Sequence, residues 1–151
     1  MTTLERFAAG TGSEFAALAG SPRDADNAAF ALSELGHTVR LVRGATMRTV
    51  AAVYDEFAAA LQFPYHFEPG KAAFGECLRD WRDWLGDAPA LFLVIRDADI
   101  LLGDEPGALT WLLSALADAG IRVVGQVDRG RAVTLAHRWT SAGVSPVRLD
   151  T

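Results

Sequence analysis

The stretch FPYHFEPGKAAFGECLRDWRDWL, residues 63–85, is an aromatic, proline-bearing loop that runs into an amphipathic segment. Phe74, Cys77, Leu78, Trp81 and Leu85 recur at helical spacing and predict one helix with an apolar stripe. At about 100° per residue, Glu76, Asp80 and Asp83 fall in a narrow wedge far round from that stripe. The carboxylates form either a solvated face or a surface for a cationic partner. Like charges at this spacing cost only a few tenths of a kcal/mol, too little to demand a functional reason.

Working outward, "RTVAAVYDEFAAAL" carries Val50, Val53, Tyr54, Phe57 and Leu61 at helical spacing, starting near Thr46 or Thr49. Before it, "DADNAAFALSELG" reads as a helix with early aspartates and a terminal Gly36, and "HTVRLVRG" as a strand closed by Gly44. After it, "ALFLVI" is a continuous apolar run suited to a strand buried on both faces. "DEPGALTWLLSALADAG" predicts a helix opened near Pro106 and stopped at Gly120, and "IRVVGQV" another strand. The end adds a helix from about Arg131 to Ser141 and a short strand that Pro146 confines to an edge. Strands alternating with helices predict an α/β fold with a small, mainly parallel sheet packed with helices. We expect one domain over residues 1–151, with an N-terminal lead at 1–26 and a C-terminal extension at 128–151.

The chain has 151 residues, half of them hydrophobic, enough to bury a core and short for two domains. Its formal charge of −5 argues against direct contact with nucleic acid, which needs clustered Lys and Arg. A lone Cys77 excludes an internal disulfide and, on the apolar stripe, reads as a small core residue. No apolar run approaches the ~20 residues of a membrane span, and no signal-peptide pattern opens the chain, so a cytoplasmic protein is expected. His37, His66 and His137 lie too far apart for a local metal site, and no G-x-S-x-G, P-loop or G-x-G-x-x-G occurs. Neither a metal nor a cofactor is expected. "RDAD" puts Asp97 and Asp99 after the buried strand, where α/β enzymes hold catalytic carboxylates, but a helix start with a solvated turn is the simpler reading.

A signature of the form GFPxYFGxNxDALxDCL, preceded by a helix and followed by an apolar strand, marks the barstar family of intracellular ribonuclease inhibitors. "LQFPYHFEPGKAAFGECLRDW" resembles it in Phe63, Pro64, Phe67, Ala73, Phe74, Glu76, Cys77, Leu78 and Trp81, and the order of elements follows the family over about residues 27–127. The resemblance implies a small parallel sheet covered by helices and a protein that is not an enzyme. It implies an inhibitor or immunity protein whose acidic loop–helix surface blocks the cationic active site of a nuclease or toxin domain, with charge complementarity speeding encounter. Carried across, Glu76 matches the principal inhibitory carboxylate, and His66 and Phe67 match the paired aromatic positions of the loop. Glu68, Gly70, Ala72 and Gly75 depart from the family pattern, and Lys71 adds a positive charge. The expected partner surface is therefore Glu76, His66, Phe67, Glu68, Asp80 and Asp83, with an altered target. Two other readings stand beside it: an interaction or regulatory domain that self-associates, which allows a homodimer, and a small enzyme using Asp97 and Asp99.

Overall fold

The computed structural model describes residues 2–10 and 14–150. Helix α1 (Thr3–Ala8) precedes strand β1 (Phe15–Ala19), helix α2 (Pro22–Glu34) and strand β2 (Thr38–Arg43). Three helices follow, α3 (Val50–Ala60), α4 (Lys71–Arg79) and α5 (Arg82–Leu85), and lead to strand β3 (Leu91–Arg96). The chain ends with α6 (Leu109–Asp118), β4 (Arg122–Val127), α7 (Ala132–Ser141) and β5 (Val147–Leu149). Local chemistry explains several starts. Ser21 and Asp24 close a reciprocal capping box with Pro22 in the first turn of α2, and the Thr49 hydroxyl caps α3.

All strand pairings are parallel, in the order β2-β3-β4-β1-β5. The predicted α/β class and parallel sheet are thus observed. Every apolar residue of β3 is buried, and alternation divides them between two layers. Leu91, Leu93 and Ile95 pack with α3, α4, α6 and α7, whereas Phe92 and Val94 face α1 and α2. Fully burying each such side chain contributes roughly 1.5–3 kcal/mol before entropy is counted. On β4, an added Cβ at Gly125 would lie 2.6 Å from Trp139, so only glycine leaves room for that ring.

Residues 1–26 contribute β1, which lies between β4 and β5, and the start of α2. From β1 the chain crosses through α2 to β2 at the far edge. From β4 it crosses through α7, on the opposite face, to β5 at the other edge. Connections leaving two adjacent strands in opposite directions make a switch point at their carboxyl ends, the place where open α/β sheets take ligands.

One predicted element differs. The single helix expected over 74–85 is broken: Asp80 caps α4, Trp81 is buried at the junction, and α5 starts at Arg82. The interruption accompanies a tertiary bond, in which the Trp84 indole Nε1–H donates to the Leu61 carbonyl at 2.8 Å. The acids of 76–83 are therefore spread over two helices and do not form one continuous stripe.

Candidate functional site

Two regions gather functional chemistry. The first lies at the carboxyl ends of β1, β3 and β4. Gln126, fully buried on β4, accepts a hydrogen bond from the Asp97 backbone N–H at 2.9 Å and donates Nε2–H to the Gly20 carbonyl at 2.8 Å. One side chain thereby ties three strand ends together. Asp97 sits in the left-handed region at φ +49°, an uncommon conformation that aspartate tolerates better than most residues.

Arg131, on the turn before α7, closes this edge. Its Nε donates to Asp99 Oδ2 at 2.7 Å, Nη2 reaches Asp97 Oδ1 at 3.3 Å, and Nη1 reaches Asp128 Oδ2 at 3.0 Å. The hydrogen bond and charge of Asp99 hold the guanidinium above its ordinary pKa, with Asp128 and Asp97 adding to the effect. Arg138 donates Nη1–H to the carbonyls of Asp99 and Leu101 at 2.8 and 2.6 Å, and burial lowers its pKa. "RDAD" thus belongs to an ion cluster at the sheet edge, and the expected solvated turn is corrected at Asp99, whose side chain is only 5% exposed, while Asp97 keeps 29%. Only Gly20 and Ser21 separate β1 from α2, and the Ser21–Asp24 box engages the N–H groups of both of its members.

The second region is the loop after α3 with α4 and α5. Phe63 packs edge-on against Phe67, Phe74 and Trp84, and Tyr54 touches both Phe67 and Phe74. Phe67 therefore turns inward and anchors the loop. Tyr65 does the opposite: it is fully exposed and stacks edge-to-face on the exposed His66 at 5.6 Å. Glu68, Glu76, Asp80 and Asp83 of the same segment are exposed as well. Among the described residues none of these four carboxylates is in an ion pair, unlike Glu56, Asp97, Asp99, Asp104 and Asp128. Positive charge is interspersed, for Lys71 lies over the Trp111 ring at 5.1 Å and Arg82 over Trp81 at 4.3 Å. Burial, then the charges of Asp80 and Glu76, push the Cys77 thiol up, away from reactivity.

Among the expected site residues, the structure brings His66 together with Tyr65, which the sequence reading missed, and separates Asp83 onto α5. Gln126 and Arg131 were also missed. Their signals were a lone amide in an apolar strand and an Asp128–Arg131 pair at i, i+3. No group of three or more His, Cys, Asp or Glu among the described residues forms a metal site, and no helix there is long and apolar enough to cross a membrane.

Solved structures share this α/β fold with its parallel five-stranded sheet. Cdc6p from Pyrobaculum aerophilum is 21% identical with a TM-score of 0.59, covering 97% of this chain and 42% of that one. A Walker-type ATPase of Pyrococcus abyssi is 10% identical with a TM-score of 0.67, covering 97% and 51%. Drosophila ORC bound to DNA is 17% identical with a TM-score of 0.62, covering 99% and 29%. At these identities the likeness is one of fold, and this chain spans about half the length of those proteins or less. The chain belongs to the barstar (barnase inhibitor) family, whose model matches residues 37–137. No curated protein matches its sequence.

These findings correct the functional expectation. The family match leaves out α1, β1, α2 and β5, whereas the similarity to the ATPase structures covers 97–99% of the chain. The reading as an intracellular ribonuclease inhibitor, immunity protein or antitoxin rested on the matched middle alone and is withdrawn. The expectation of a protein that is not an enzyme is withdrawn with it, because the same fold carries Walker-type ATPases.

Proposed function

We propose that this chain is an ATPase-type α/β domain that works by binding a protein partner through the surface of Tyr65, His66, Glu68, Glu76 and Asp80. The observation that carries the reading is Tyr65, a fully exposed aromatic on a loop pinned by Phe63 and Phe67, in a segment whose carboxylates Glu68, Glu76 and Asp80 are also exposed. A large exposed ring on a rigid support loses little entropy on binding, and Tyr is enriched among residues that dominate interfaces. Membership of a family described as a barnase inhibitor supports a protein as the class of ligand. The exposed acids of the same segment favour a partner with cationic groups opposite them.

The test is affinity capture with the full chain as bait beside Tyr65→Ala and Glu68→Ala/Glu76→Ala variants. A partner held by the wild type, weakened by both variants and released as salt rises would support the reading. A partner indifferent to all these residues would reject it.

A second reading has its own observation. Asp97 and Asp99 follow β3 beside the switch point, and in P-loop NTPases a strand-end aspartate holds the magnesium ion of the nucleotide. Against it, Arg131 already engages both carboxylates, and α2 is capped by its own side chains. Phosphate release from ATP with Mg²⁺, abolished by Asp97→Asn and intact in Tyr65→Ala, would put this reading in place of the first.

A further inference from the structure

On the opposite face of the sheet from the Tyr65 surface, α1 and α2 wall a trough of about 560 Å³ over β1 and β5. Its floor is core: Leu18 and Leu149 are 4% and 6% exposed, and Leu4 and Ala28 complete it. One wall presents Phe30 at 68% exposure and Leu35 at 50%, two of the five large apolar side chains exposed among the described residues. Phe30, Ala31, Glu34 and Leu35 all lie in the last turns of α2 and its cap. The Asp150 N–H donates to the Thr3 hydroxyl at 2.9 Å and ties β5 to the start of α1.

The charge on this trough has one sign. Glu5, Asp24, Glu34 and Asp150 belong to the lining, and no Lys or Arg does. Arg6 and Arg23 stand on the same helices but outside the lining. An apolar floor with a carboxylate rim suits a segment that carries an apolar face and basic flanks. Two antiparallel or crossing helices bounding a trough receive a third helix by its i, i+3, i+4 and i+7 side chains.

We propose that the α1–α2 trough is a docking groove for a basic amphipathic helix of a partner protein. The apolar face of that helix covers Phe30 and Leu35 and rests on Leu18 and Leu149, and its Lys and Arg side chains meet Glu5, Glu34 and Asp150. None of the helices among the described residues combines an apolar face with a strongly basic one, so a second copy is a poor occupant. The groove goes beyond the surface proposed above and does not rest on it.

The probe is a labelled ~18-residue Leu/Lys peptide with a 3.6-residue apolar period, about five helical turns, titrated against the full chain by fluorescence anisotropy. A scrambled peptide, a Leu/Glu counterpart and a version with a central proline serve as controls. We expect saturable binding of the Leu/Lys helix alone, weakened at least tenfold by Phe30→Ala/Leu35→Ala and by Glu5→Lys/Glu34→Lys, and unchanged by Tyr65→Ala. Phe30 and Leu35 are exposed, so the double variant should keep the wild-type thermal midpoint. Equal binding of the scrambled or proline peptide, or no loss in either double variant, would overturn the proposal. So would self-association in sedimentation equilibrium that Phe30→Ala/Leu35→Ala removes, because the occupant would then be a second copy.

Discussion

Arg131 and Asp99 form the tightest ion pair of the sheet edge: Nε lies 2.7 Å from Oδ2, and the carboxylate is nearly enclosed while the guanidinium is 43% exposed. Removing the arginine strands a buried charge. Solvent at Arg131 moderates the loss, so Arg131→Met should lower stability, by less than breaking a fully buried pair does. Asp99→Asn, which removes the charge but keeps an acceptor, should cost less. Urea denaturation of the two variants checks the order.

Gln126 holds β1, β3 and β4 at once, and Gln126→Leu preserves its size while leaving the Asp97 N–H and the Gly20 C=O without partners. Each orphaned buried group costs roughly 1–3 kcal/mol, so a loss of about 3 kcal/mol is expected in the same measurement. A loss below about 1 kcal/mol would mean that other donors or water take its place.

Gly125→Ala drives a methyl into the Trp139 ring, which lies 2.6–2.8 Å from the added atom. Overpacking of this kind costs roughly 1–3 kcal/mol. The double variant Gly125→Ala/Trp139→Leu should lose less than the sum of the two single losses, because the smaller side chain relieves the clash.

His37 and Glu56 both contribute to the acid limb of stability. Burial, then the charge of Arg122, lowers the pKa of His37, so its contribution is complete above the ordinary value of 6.5 and declines as pH falls from there towards the folded value. Hydrogen bonds from Arg43 lower the pKa of Glu56, so the stability it adds is complete above the ordinary value of 4.5 and is lost as pH falls through the folded value. His37→Phe, which can retain a ring against Phe92, should flatten the decline just below pH 6.5. Glu56→Gln should flatten only the part below 4.5. Denaturation midpoints between pH 7 and 3 separate the two.

Tyr65→Ala removes a side chain that the folded chain does not bury, so its thermal midpoint should match the wild type within the effect of a surface substitution, about 0.5 kcal/mol. A larger loss would mark the loop as structural and remove the support for its role in binding.

Much of the fold was legible residue by residue. The stripe of Val50, Val53, Tyr54 and Phe57, the run Leu91–Ile95 and the stops at Gly36 and Gly120 each report a local preference, and each element formed where that preference placed it. The break between Arg79 and Arg82 was not legible, since Phe74, Leu78, Trp81 and Leu85 keep helical spacing straight through it. It is accompanied by a bond between residues 84 and 61 that no local pattern announces.

The candidate sites divide the same way. The exposure of the acids at 76, 80 and 83 follows from helical periodicity, that of Glu68 from its charge in a loop, and all four are on the surface. That β1 enters the sheet between β4 and β5, that Arg131 meets Asp99 across 32 positions and that Gln126 reaches Gly20 across 106 were decided by tertiary structure alone. Periodicity assigns a residue to a face of its own element. Which elements become neighbours depends on burying those faces against one another, a property of the whole chain.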